Sequence, residues 1–229
     1  MTVAFWICAF LLFYIYLGYP LVVWALARIC PKPVACRPFA GRFSVVISAY
    51  NEQERIGPKI ASILASENAG DIEELIIASD GSTDSTVNQA RCIDDPRIWV
   101  VEFVQRRGKP AVLNEIVPQC RSEYVVLTDA RQEVAPDAFK ALLADYADDG
   151  VGVVSGELVF RKTDQSMVAR GVDAYWTYEK FIRENESRSG SVPGATGALY
   201  AIRKSLYRPI SDKTILDDVA IPLLMVRQG

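Results

Sequence analysis

Four short polar clusters each follow an apolar run, and each carries a group able to do chemistry. They are Tyr50-Asn51-Glu52 after FSVVISA, Asp80-Gly81-Ser82-Thr83-Asp84 after EELIIAS, Arg106-Arg107-Gly108-Lys109 after RIWVVEF, and Asp129-Ala130-Arg131 after EYVVLT. A carboxylate such as Asp80 accepts from a base N–H, and a ring such as Tyr50 packs on a nucleobase. Lys109 and Arg107 bring positive charge for a diphosphate, assisted by backbone N–H groups where a helix begins. Asp129 suits a divalent cation bridging those phosphates. Two residues on, where a second carboxylate would complete a clamp, stands Arg131. Each cluster also has a structural explanation. Asn51 and Glu54 have capping-box spacing, residues 82–86 contain helix caps, and Arg106 with Arg107 reads as a solvated charge run.

These clusters meet only if the runs before them lie side by side. FSVVISA (43–49), EELIIAS (73–79), RIWVVEF (97–103) and EYVVLTD (123–129) are short and rich in β-branched residues, which predicts strands. Ile56, Ile60, Ile63 and Leu64 recur at helical spacing, and residues 83–92, 109–119 and 136–147 supply further helices. Apolar strands alternating with helices predict an α/β fold with a mostly parallel, doubly wound sheet. Ligands of such sheets bind beyond the carboxyl ends of the strands, where the four clusters fall. Further on, residues 151–160 read as one or two strands, 166–186 as a long helix, 197–203 as a strand and 215–227 as a last helix. The stop at Gly229 directly after a helix is read as a truncation.

Composition narrows the chemistry. The 229 residues include 25 basic and 28 acidic side chains, a net charge of −3, so nothing marks a nucleic-acid partner. There is no histidine, which removes His-based general bases, Ser-His-Asp triads and His-ligated metals together. The five cysteines form no CxxC pair, and a reducing compartment is the simplest reading. No GxGxxG or P-loop pattern occurs.

Val3 to Ala27 contains no charged residue, and about 20 apolar residues suffice to cross a bilayer. Tyr14, Tyr16, Tyr19 and Trp24 suit an interfacial belt. Arg28, Lys32, Arg37 and Arg42 follow, with no acid before Glu52, which puts the remainder on the cytoplasmic side of the inner or plasma membrane. The expected organisation is a transmembrane anchor over 1–29, a proline-stiffened linker over 30–42 and one domain over 43–229.

The ordered series VVISAYNE, IIASDGSTD, RRGKPAVLNE, VVLTDAR, GATGALYAIRK and LDDVAIPL resembles the family-two glycosyltransferases with the glycosyltransferase A-type fold. The likeness runs from about Phe43 to the end, and YLGYPLVVWAL is similar to anchors of membrane-bound bacterial members that build polysaccharides. It implies a nucleotide-diphosphate sugar donor, UDP-linked by preference, a Mn2+ or Mg2+ ion, a saccharide or lipid-linked acceptor and transfer with inversion. By that match Ala49, Tyr50, Glu52 and Asp80 line the nucleoside pocket with Lys109 nearby, and Asp129 is the first acid of an Asp-x-Asp. Arg131 departs from the pattern, either neutralising phosphate charge itself or marking a changed donor or weakened activity. The chain also stops before the Gln-x-x-Arg-Trp region of processive relatives.

Inverting transfer needs a base for the acceptor hydroxyl, and Asp217 and Asp218 match the family's acidic pair. Thr214 to Asp217 has capping-box spacing, which leaves Asp218 as the preferred base. Gly194 and Gly197 resemble the acceptor-side loop, where small residues admit a sugar to the backbone. Two alternatives stay open: sugar transfer to a polyprenyl phosphate, and an inactive nucleotide-sugar-binding membrane protein.

Overall fold

The structure, a computed structural model, describes residues 2–159 and 167–228, with the backbone alone over 167–174. Phe160 and Ser166, the ends of two expected elements, lie outside the described residues. The chain forms two compact units, Met1–Val34 with Val159–Val192, and Ala35–Leu158 with Pro193–Gly229.

In the first unit, α1 (Thr2–Phe13) passes through a π-turn (Tyr14–Gly18) into α2 (Tyr19–Ile29). This continuous stretch is the one helix, among the described residues, long and apolar enough to cross a membrane. Its halves differ. No residue of α1 is buried, whereas Pro20, Val23 and Ala27 of α2 are, because α2 packs along α7 (Met167–Ser189). The Tyr19 hydroxyl donates to Glu186, and the Tyr178 hydroxyl donates to the Tyr16 carbonyl at 2.8 Å.

The second unit is a six-stranded sheet. Its strands are β1 (Phe43–Ala49), β2 (Ile72–Asp80), β3 (Ile98–Phe103), β4 (Tyr124–Asp129), β5 (Val153–Ser155) and β6 (Leu199–Arg203). The spatial order is β3-β2-β1-β4-β6-β5; β1 to β4 run parallel and β6 runs antiparallel to both its neighbours. The helices are α3 (Ile56–Leu64), α4 (Thr86–Arg91), α5 (Lys109–Ile116), α6 (Ala138–Ala144) and α8 (Asp217–Val226).

Strand β1 shows why the sheet is covered on both sides. Val45 and Ile47 join one apolar cluster with Ile56 and Ile60 of α3 and Phe139 and Leu142 of α6. Val46, between them, joins the opposite cluster with Val112, Leu113 and Ile116 of α5 and Ile221 of α8. Alternate residues of a strand point to opposite faces, so a strand apolar at every such position demands helices on both. Each of these side chains, fully removed from water, stabilises the fold by about 1.5–3 kcal/mol. The expected doubly wound sheet is therefore present, and it carries the four strand-end clusters to one edge.

Candidate active site

At the end of β1 the chain turns through Asn51, whose φ of 53° lies in the left-handed region that asparagine tolerates. Asn51 does not cap α3 as its spacing with Glu54 predicts. That helix starts at Ile56, and no side chain caps it. Instead the Asn51 side-chain Oδ1 accepts the Thr83 N–H at 2.9 Å, and the Glu52 N–H donates to Thr86 Oγ1 at 2.8 Å. The turns after β1 and β2 are thus laced together. The Ala49 side chain is buried in the core, so only its backbone remains for a ligand.

Asp80, at the tip of β2, is 3 % exposed, and its two oxygens accept the N–H groups of Arg107 at 2.7 Å and Gly108 at 2.8 Å. The carboxylate expected to read a base is engaged in shaping the next loop. Gly81 extends the same contact: its φ is 67°, and a Cβ there would lie 2.5 Å from the Arg106 nitrogen. The clamped loop lays the Arg106 guanidinium over the Tyr50 ring, 4.1 Å from its centroid. Arg107, the residue expected to face phosphates, turns elsewhere. Its guanidinium pairs with Glu115 at 2.6 Å and lies over Phe103, since Glu115 is on the first helix the loop feeds.

Lys109 opens α5 and is the centre of the site. Its ammonium lies 3.0 Å from Asp129 Oδ1 and 3.1 Å from Asp217 Oδ2. Burial opposes its charge, but the two carboxylates outweigh that and raise its pKa above the ordinary lysine value. Glu52 is buried and accepts Arg131 Nε at 2.8 Å and an Arg55 nitrogen at 2.9 Å. Burial raises the Glu52 pKa, and the two guanidiniums more than offset it, so the group ends below the usual carboxylate range. Arg131 is therefore held at the site's edge by the acid of another strand end.

Asp217 and Asp218 begin α8. Its N-cap is Leu216 and makes no side-chain cap, so the capping explanation of Asp217 fails. Asp217 is 7 % exposed and faces inward, onto Lys109 and the Tyr200 hydroxyl at 3.5 Å. Asp218 differs: among the described residues no hydrogen bond or ion pair engages its carboxylate, which stands beside Gly197. A Cβ on Gly197 would sit 2.8 Å from Asp218 Oδ2, so only glycine leaves that carboxylate in place. Gly194 is similarly close-packed, 3.0 Å from a Val219 methyl if it bore a Cβ.

Pro222 explains why this loop docks here. Proline has no N–H, so the carbonyl four residues earlier in the helix, that of Asp218, lacks its helical partner. The Ala195 N–H donates to that carbonyl at 2.8 Å, joining the 194–197 loop to the helix turn that carries Asp218. The carbonyl that Pro222 leaves without a helical partner thus serves as the docking point.

A divalent cation is tested by the donor set. Among the described residues no three acidic, histidine or cysteine side chains gather as a ligand group, and Asp129 Oδ1 already faces an ammonium. What remains is a fragment of an oxygen site. Mg2+ and Mn2+ accept such fragments, taking one or two carboxylates and completing their shell with phosphate oxygens and water. The residues fit a cation that arrives with a diphosphate.

Comparison with known proteins then decides the family. Residues 44–210 match the model of "Glycosyl transferase family 2". The chain belongs to that family. Among curated relatives it is 29 % identical, over 178 residues, to an N-acetylglucosaminyltransferase of Azorhizobium caulinodans, covering 76 % of this chain and 45 % of the relative. It is 26 % identical over 186 residues to a poly-beta-1,6-N-acetyl-D-glucosamine synthase of Staphylococcus epidermidis, covering 78 % and 44 %. The chain spans about half the length of the curated relatives it matches. A solved mannosyltransferase of Pyrobaculum calidifontis, in complex with GDP-Man and Mn2+, superposes with a TM-score of 0.73 at 27 % identity, over 92 % of this chain and 60 % of that one. The glycosyltransferase A-type fold expected from the motif series is the one observed. Within this family-two chain, Arg106 is brought to the site by the fold although motif reading leaves it in a solvated charge run.

Proposed function

We propose that this chain transfers a sugar, with inversion, from a nucleoside-diphosphate sugar to a saccharide acceptor in polysaccharide synthesis. UDP-N-acetylglucosamine is the donor to try first, because two of the relatives are named for N-acetylglucosamine chemistry. The base stacks at Tyr50 beside Arg106. The diphosphate lies toward Lys109, Asp129 and Arg131. The acceptor approaches over the small residues of 194–197.

The observation that carries this reading is the unequal engagement of two neighbouring acids. Asp217 is buried against the Lys109 ammonium, whereas Asp218 is half-buried beside Gly197 and, among the described residues, no ion pair or hydrogen bond engages its carboxylate. Asp218 takes the proton of the acceptor hydroxyl as its oxygen attacks the anomeric carbon. The bond from that carbon to the diphosphate breaks, and negative charge passes to the nucleoside diphosphate. Lys109 and Arg131 lie where that charge develops. Asp129, with the diphosphate, would hold a divalent cation, which when bound would supply further charge neutralisation. The helix Thr2–Ile29 anchors the chain in the membrane, with the sheet on the cytoplasmic side.

The test uses the full chain in detergent or lipid with Mn2+ and UDP-N-acetylglucosamine or GDP-mannose, following release of nucleoside diphosphate. Asp218→Asn is expected to lower turnover by about 10²–10⁴-fold while UDP binding persists. Unchanged turnover rejects Asp218 as base. Binding without turnover in the wild-type chain supports the inactive, nucleotide-sugar-binding reading instead.

A further inference from the structure

One buried cation has no part in the scheme above. Lys59 lies on the apolar face of α3, three residues after Ile56 and four before Ile63, and is 2 % exposed. Among the described residues no carboxylate forms an ion pair with it. Its ammonium donates to Thr128 Oγ1 at 2.7 Å and to the Gln132 carbonyl at 2.7 Å. These acceptors are the two ends of the turn Thr128–Gln132, the segment that presents Asp129 and Arg131.

The contact continues past that turn. Thr128 Oγ1 donates to the Ala198 carbonyl at 2.6 Å, and the Asp129 N–H reaches the same oxygen at 3.3 Å. Ala198 directly follows Gly197, the glycine beside Asp218. One ammonium therefore joins α3, the end of β4 and the residue leading into β6. Gln132 adds an independent sign that the turn is shaped by something other than core packing. Its Oε1 is the one buried side-chain polar atom, among the described residues, without a hydrogen-bond partner.

Stability alone does not account for a lysine here. Burying an ammonium without a carboxylate partner is costly, and an unbranched apolar side chain would fill the same space without that cost. Burial pushes the Lys59 pKa down to about 8, against the opposing pull of Asp129. The fold retains a cation it could replace, at the back of the turn that carries its phosphate-side residues.

We infer that Lys59 is a positioning residue of the donor site, holding the Thr128–Gln132 turn closed so that Asp129 and Arg131 face the diphosphate. It touches no substrate and acts through backbone and hydroxyl contacts. The inference rests on the donor-site reading above, and the experiment separates the two.

Binding of UDP with Mn2+, and of GDP with Mn2+, is measured by calorimetry on the full solubilised chain, as wild type, Lys59→Met and Thr128→Val. Thermal midpoints are recorded alongside. Lys59→Met is expected to keep or raise the midpoint while weakening nucleotide binding by about tenfold, the scale on which supporting partners of a metal or phosphate site act. A role confined to packing predicts the reverse, a lowered midpoint with affinity unchanged, and that result overturns the inference. Should Lys59→Met fail to fold, Thr128→Val decides. It removes the hydroxyl from the same contact, and weakened binding supports the inference while wild-type affinity overturns it. Binding of neither nucleotide by the wild-type chain overturns the donor-site reading, and the role of Lys59 with it.

Discussion

Lys109 Nζ lies 3.1 Å from Asp217 Oδ2 while Asp129 Oδ1 stands 3.0 Å from the same nitrogen. A residue at the start of one helix thus shares a cation between the end of a strand and the start of another helix. Without that cation two carboxylates would face each other across a partly buried space, which like charges resist.

Lys109→Met should therefore damage more than donor affinity. Loss of the charge-assisted contacts is expected to cost about 2 kcal/mol of stability, read as a lowered thermal midpoint. Transfer should fall by more than the fraction of unfolded chain explains. A variant with wild-type turnover would show that the ammonium merely fills space.

Pro222→Ala offers a finer probe. Alanine restores an N–H that competes with Ala195 for the Asp218 carbonyl, although it improves intrinsic helix propensity by up to about 3 kcal/mol. The expected result is a chain as stable as wild type or more so, with a raised KM for the acceptor and an unaltered KM for the donor. Raised KM values for both would place the 194–197 loop on the donor side.

Because Lys109 already faces the Asp129 oxygen, Mn2+ should bind the donor-free chain weakly and tighten at least about tenfold when UDP is present, since a cation of this kind shares its shell between carboxylate and phosphates. Titration of Mn2+ followed by electron paramagnetic resonance, with and without UDP, measures this. Equal affinities in both states would point to a preformed metal site.

Lys59 supplies a pH signature. Its pKa is lowered to about 8 in the folded chain, whereas an unfolded lysine titrates near ~10.4. Between those values the unfolded chain holds the extra proton, so the Lys59 contribution to stability rises as pH increases from about 8 to about 10. Lys59→Met should remove that rise. The thermal midpoints of the two chains across this window, compared as a difference, make the measurement.

The strands were the most legible part of the molecule. A run such as FSVVISA is buried on both faces, and its composition says so without help from the rest of the chain. The turns were legible in location but not in use. Asn51 with Glu54, and Thr214 with Asp217, have the spacing of caps, yet their side chains are claimed by partners distant in sequence, Thr83 in one case and Lys109 in the other. Spacing records local competition only, and here tertiary contacts win. Arg106 and Arg107 are alike as residues; which one stacks on Tyr50 is settled by the backbone clamp from Asp80 and Gly81. Lys59 carried a signal that helix periodicity could have caught, a lysine in register with Ile56 and Ile63 on the buried stripe.

The reversed direction of β6 has a consequence for how such a site can change. Strands β1 to β4 all deliver their exits to one edge of the sheet, and those exits hold the residues proposed to bind the nucleotide. Strand β6 delivers its entrance to that edge, so the glycine-bearing segment beside Asp218 arrives from the opposite direction along the chain. Insertions that remodel the exits leave the length and register of that entrance untouched. On the proposed assignment, donor choice and acceptor choice fall to segments that can vary independently, while β4 and β6, hydrogen-bonded side by side, keep the two in step.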